Sequence, residues 1–128
     1  MKYNSLIPEL SVSNIDISKK FYLNLGFEIK YERVKDKFCF LEYDNNQLMI
    51  EQINDNWNVG VLEYPFGRGI NLSMTVNNID EFYKKVIDSN IKIYRELQVD
   101  KYMVGDEYVY DKQFLIQDPD GYLLRFVD

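Results

Sequence analysis

Alternating apolar and polar positions divide this chain into short strands, and two stretches break the alternation with helical spacing. Residues 14–25, NIDISKKFYLNL, place Ile17, Phe21 and Leu25 at i, i+4 and i+8, one face of an amphipathic helix. Residues 78–89, NIDEFYKKVIDS, do the same with Ile79, Phe82, Val86 and Ile87. Asn14 and Asn78 can cap these helices, and Glu81 gives the second a capping-box-like start. Gly26 and Asn90 tolerate the left-handed conformation that ends a helix. Strands are predicted at 6–12, 26–32, 37–43 and 47–52, then again at 70–76, 90–96, 108–117 and 122–127.

The two sets correspond. VSNID at 12–16 and VNNID at 76–80 stand 64 positions apart, and that offset carries through cap, helix and following strand. The turns DNNQ (44–47) and DPDG (118–121) match at an offset of 74, so the second half has gained ten residues. The gain falls most simply within LQVDKYMVGDEY (97–108), a candidate ligand loop or else a long hairpin connection. The pattern predicts an α+β fold of two tandem β-α-β-β-β modules. They span approximately 1–53 and 69–128, joined by a linker at 54–68, within a single domain of residues 1–128. Their curled mixed sheets should form a concave cleft. Exposed sheet edges on such small modules lead us to expect a homodimer.

Composition narrows the chemistry. A net charge of −6 disfavours nucleic acid and anionic membranes as partners and is compatible with a cationic ligand. The chain has no histidine, which removes imidazole acid–base catalysis and histidine metal ligation. Cys39 is alone, so no disulfide forms within the chain. No apolar run approaches a membrane span, and no signal-peptide pattern opens the chain, so a cytoplasmic location is expected. The linker and the 97–108 stretch are rich in acids (Asp55, Glu63, Asp100, Asp106, Glu107 and Asp111), which could steer a cationic ligand or simply be solvated.

Three stretches carry a family resemblance: VSNIDISKKFYLNLGFE, GRGINLSMTVNNIDEFYKKV and QFLIQDPDGYLLRF. In that order and spacing the chain resembles the vicinal oxygen chelate superfamily, which includes glyoxalase I, extradiol dioxygenases and bleomycin resistance proteins. In its metal-dependent members four ligands converge from the two halves. Carried over position by position, the resemblance places those sites at Ile7, Asn71, Glu51 and Arg125. Only Glu51 is a good ligand. Ile7 has no donor atom, Asn71 offers a weak carbonyl oxygen, and Arg125 is a permanent cation. The departure resembles the bleomycin resistance branch, which acts by binding without a metal.

The expected function is therefore metal-free, cofactor-free and non-catalytic binding of a small amphipathic, cationic molecule, such as a bleomycin-type antibiotic sequestered for resistance. A metalloenzyme of the same superfamily built on Glu51, and a metabolite-sensing module, are the alternatives. The expected ligand-binding residues are Phe38, Phe40, Met49, Glu51, Trp57, Asn71, Tyr102 and Arg125, with no catalytic or metal residue. A contact between Glu51 and Arg125, within a chain or across a dimer, is expected at the former metal position.

Overall fold

The computed structural model describes all 128 residues, arranged as two compact units. Unit 1 comprises residues 1–66 with 119–121, and unit 2 comprises residues 67–118 with 122–128. Unit 1 runs β1 (Glu9–Val12), α1 (Ile15–Leu25), β2 (Glu28–Arg33), β3 (Phe38–Tyr43) and β4 (Asn46–Gln52). Its sheet order is β1-β4-β3-β2, with β1 and β4 parallel and the other pairs antiparallel. Unit 2 repeats the plan with β5 (Asn71–Thr75), α2 (Ile79–Asp88), β6 (Ile93–Val104), β7 (Glu107–Gln117) and β8 (Leu123–Val127), in the order β5-β8-β7-β6. The α+β class and the duplicated β-α-β-β-β topology are as the sequence predicts.

The caps form as expected. Asn14 accepts from the amides of Asp16 and Ile17 at 3.0 and 3.1 Å, and Gly26 ends α1 at φ 111°. Asn78 accepts from the Glu81 amide and donates to the Glu81 carboxylate at 2.8 Å, while Asn90 takes φ 60°. These side chains satisfy amides that a bare helix end leaves without partners.

The buried face of α1 differs from the one read in the sequence. Ile15, Ser18, Tyr22 and Leu25 are buried, whereas Ile17 is 56% exposed and Phe21 only half-buried. Ile17 lies about 200° around the helix from Ile15, so both cannot face one sheet. The stronger anchor is Tyr22, whose ring meets Phe27 edge-on at 5.4 Å. On α2, Ile79, Phe82 and Val86 are buried as expected, but Ile87 is exposed. Phe82 packs on Phe126 and Phe114, at centroid separations of 4.8 and 5.9 Å, to form the core of unit 2.

Two strand boundaries also move. β1 starts at Glu9, not at residue 6, and Leu6 is exposed. Pro8 cannot donate to a ladder, although its carbonyl still accepts from the Met49 amide at 2.9 Å. The 97–108 stretch is not a loop. β6 and β7 continue through it, paired as far as Val104 and Glu107 around a turn at Gly105 and Asp106. The ten added residues lengthen a two-stranded arm whose residues are mostly exposed.

Candidate functional site

Each sheet has one face covered by its helix and one without a helix. In unit 1, strand alternation puts Leu10, Val12, Cys39, Leu41, Leu48 and Ile50 under α1. The opposite, open face carries Glu9 and Ser11 from β1, Met49 and Glu51 from β4, and Phe38 and Phe40 from β3. β2 contributes Tyr31 and Arg33, which pair with Phe40 and Phe38 just beyond a bulge between Ile29 and Tyr31.

Phe38 and Phe40 are expected ligand contacts, yet they are 3% and 1% exposed. Tyr31 stacks on Phe40 at 5.2 Å with an interplanar angle of 15°, and Tyr3 meets the same ring edge-on at 5.6 Å. The Arg33 guanidinium lies 3.9 Å from the Phe38 centroid. The two phenylalanines thus form a floor, and Tyr31 is its solvent-facing layer, 37% exposed. Tyr31 went unnoticed in the sequence because β2 reads as polar and a bulge alters its alternation.

A groove of about 620 Å³ opens beside Tyr31, bounded by Lys30, Glu42 and Gln47 and by the segment Met1–Asn4. Gln47 holds that segment in place. Its amide donates to the Lys2 carbonyl and the Glu42 carboxylate, each at 2.7 Å, and accepts from the Asn4 amide at 2.7 Å. The Gln47 bond and Lys30 together keep the Glu42 carboxyl below its ordinary pKa. A second groove of about 490 Å³ is lined by Glu51, Asn54 and Asn56 together with Arg33, Lys35 and Lys37. None of the acids singled out in the linker and arm lines either groove.

Glu51 is 9% exposed and accepts from Asn54 Nδ2 at 2.7 Å. Its neighbour on the open face is Glu9. In unit 1, Ser11 stands opposite Glu51, so Glu9 lies two residues before that partner. In unit 2, Ser73 stands opposite Arg125, so Asn71 lies two residues before that partner. Measured from Glu51 and Arg125 across the strands, Asn71 corresponds to Glu9, whereas measured along the chain from the caps Asn14 and Asn78 it corresponds to Ile7. Counting 64 residues back from Asn71 gives Ile7 because the parallel pairing has slipped by two residues between the repeats. An even slip keeps every side chain on its original face, so burial does not betray it. Burial and then the nearby Glu51 charge raise the pKa of the Glu9 carboxyl, while Arg33 pulls it the other way.

The open face of unit 2 carries Asn71, Ser73 and Thr75 from β5, Arg125 from β8, and Gln113 and Leu115 from β7. Gln113 is buried and donates to the Tyr102 hydroxyl at 2.8 Å and to the Asp100 carboxylate. Tyr102 thereby anchors the base of the arm. Trp57 is 65% exposed in the linker of unit 1 and packs into no core.

A divalent metal does not fit the four positions the resemblance points to. Glu51 is an adequate donor and Asn71 a weak one. Ile7 supplies none, and Arg125 would repel the ion. Replacing Ile7 by Glu9 adds a carboxylate but leaves the arginine. No group of three or more acidic or thiol side chains is placed to hold a metal. The thiol of Cys39, wholly buried, is pushed up to about 11 by burial and by Glu32, which makes it a poor nucleophile.

No helix is long and apolar enough to cross a membrane. No curated protein matches the chain. Among solved structures, a superfamily member from Vibrio splendidus 12B01 is 36% identical over 93% of each chain, with a TM-score of 0.43. TioX from Micromonospora sp. ML1 is 16% identical over 98% of each chain, with a TM-score of 0.76. A bleomycin-binding protein complexed with bleomycin is 19% identical over 98% of each chain, with a TM-score of 0.68. These last two show the shared fold. The family model described as the glyoxalase/bleomycin resistance protein/dioxygenase superfamily matches residues 6–126. With the duplicated module and its two helix-free sheet faces, this places the chain in the glyoxalase/bleomycin resistance protein/dioxygenase superfamily.

Proposed function

We propose that the protein binds a small amphipathic molecule bearing a basic group, without a metal and without catalysis. The observation that carries this reading is the open face of unit 1, where two neighbouring carboxylates adjoin an aromatic floor. Glu9 and Glu51 repel each other, and a ligand ammonium or guanidinium placed between them relieves that repulsion. Tyr31, backed by Phe38 and Phe40, offers a flat ring for a planar apolar part of the ligand. Met49 and Glu51 share this face, and on the open face of unit 2 the polar contacts are Asn71 and Arg125. Trp57 and Tyr102 are the further aromatic contacts, and a homodimer is the expected assembly. Sequestration of a bleomycin-type antibiotic in the cytoplasm fits this chemistry, and the likeness to the bleomycin-binding protein supports it at the level of fold.

Calorimetric titration of the metal-stripped protein with bleomycin tests the reading. Binding at micromolar or tighter affinity, with one or two sites per dimer, is the expected result. Glu9→Gln and Glu51→Gln should each weaken it at least tenfold. The Glu9→Gln protein should also be more stable than wild type at neutral pH. The raised Glu9 pKa means that its contribution to stability is present when protonated and lost as pH rises through the folded-state value. Stoichiometric Mn²⁺, Ni²⁺, Fe²⁺ or Zn²⁺ in the purified protein would overturn the metal-free reading in favour of an enzyme.

A further inference from the structure

We propose that Arg125 is an anion-binding residue on the open face of unit 2, and that the group it takes is a carboxylate or an equivalent planar oxyanion. The inference rests on the reading that the open sheet faces bind a small molecule, and it adds a ligand class to it.

Arg125 sits in the middle of β8 and points to the open face of unit 2, while its neighbours Leu124 and Phe126 point into the core. Its Nε is buried and has no hydrogen-bond partner. A guanidinium cannot shed its charge, and a buried donor without a partner costs about 1–3 kcal/mol. Such a group is rare in native proteins, and a ligand or ion that completes it is one physical explanation. The neighbours on the same face offer no counter-charge. Ser73 flanks Arg125 on one side and Leu115 on the other, with Asn71 one step away. Beyond Leu115 lies a second cation, Arg95, opposite it on β6. The first acid along this face is Asp111 on the arm, paired across to Asp100, which already accepts from Gln113. The planar fork of Arg125 is thus unopposed beside a hydroxyl and an amide. That arrangement suits a planar oxyanion, which takes two parallel N–H bonds from arginine.

A carboxylate could come from a small molecule or from Glu51 of another copy of the chain, and one experiment separates the two. The ¹⁵N-labelled full chain is titrated with sodium benzoate, with benzamide as the uncharged match and sodium chloride as the ionic-strength control. The arginine Nε–Hε signal that disappears in Arg125→Lys is followed by NMR. Saturable shifting by benzoate, at least fivefold tighter than by benzamide, is expected, and in Arg125→Gln the backbone amides of β5 and β8 should report benzoate binding at least tenfold weaker. Backbone amide dispersion checks that each variant is folded. The same benzoate titration is run on Glu51→Gln, which removes the competing carboxylate. Tightening of tenfold or more in that variant would assign the anion to Glu51 of another copy and overturn the proposal. Equal response to benzoate and benzamide would overturn it too. Bleomycin binding that persists while benzoate fails removes only this inference. Benzoate binding without bleomycin binding removes only the cationic-drug reading.

Discussion

Replacing Asp120 by alanine should destabilise the protein by about 2 kcal/mol, although the residue belongs to a turn and touches no groove. The carboxylate is 5% exposed and accepts both from the Ser13 amide, at 3.0 Å, and from the Ser13 hydroxyl. These bonds tie the second residue of VSNID to the DPDG turn, 107 positions away in sequence. A hydrogen bond to a charged group is worth about 1.5–3 kcal/mol when its loss strands the partner. Ser13 is exposed enough for water to replace part of that, which brings the pair down to about 2 kcal/mol. The negative charge also sits just ahead of α1, where it favours the helix by a few tenths of a kcal/mol. The Asp120 carbonyl keeps its bond from the Phe66 amide, 2.8 Å, so the turn itself survives the substitution. An unfolding entropy of about 2.1 cal/mol/K per residue converts this loss into a Tm decrease of roughly 7 °C for a chain of this length. Thermal and urea unfolding followed by circular dichroism measure it. Asp120→Asn keeps one acceptor and should lose about half as much. In a double-mutant cycle with Ser13→Ala, the coupling should be about 1 kcal/mol. A change below 0.5 kcal/mol in Asp120→Ala, or strict additivity with Ser13→Ala, would refute the argument.

Other substitutions probe separate features. Gly121 takes φ +93°, and an added Cβ would lie 2.6 Å from Cα and Cβ of Pro65, so Gly121→Ala should cost at least about 2 kcal/mol in the same urea assay. Ser18 is 1% exposed on the sheet-facing side of α1, and its hydroxyl has no partner. Ser18→Ala should therefore be neutral or stabilising by up to about 1 kcal/mol, and a loss of more than that would mean the hydroxyl is bonded in solution. The folded-state pKa of Cys39 lies above its unfolded value of 9.0, at about 11, so its contribution to stability is intact below pH 9 and lost as pH rises through 11. Relative to wild type, Cys39→Ala should lose an alkaline stability slope amounting to about 2–3 kcal/mol. Iodoacetamide at pH 8 should label wild type only as fast as the chain opens.

Most of the fold is legible because caps and alternation are local. Asn14, Gly26, Asn78 and Asn90 announce both helices, and each strand core is named by its apolar run. The errors arise where local pattern underdetermines the outcome. The α1 helix offers two apolar stripes, and only contact with the sheet selects Ile15, Ser18 and Tyr22 over Ile17. Residues 97–108 contain Gly105 and scattered charges, which read as a loop. Their alternating Val99, Lys101 and Met103 read equally as strand, and pairing with β7 decides for strand.

The site was less legible, for a reason that lies in how strands pair. An offset between repeats measures distance along the chain, but a site is assembled across strands, and the register between parallel strands is not written in either one alone. Between the two units that register differs by two residues, so a count along the chain matches Asn71 to Ile7 while a count across the strands matches it to Glu9. Whole-chain charge misleads in a related way. A net charge of −6 suggested acids gathered at a binding surface, yet the linker and arm acids line neither groove. The acids that matter by position are Glu9 and Glu51 in unit 1, and unit 2 presents Arg125 on a stretch of sheet with no acid beside it. Charge complementarity therefore has to be judged face by face, a basic group suiting unit 1 and an acidic group unit 2, and the net charge of the whole chain says nothing about either.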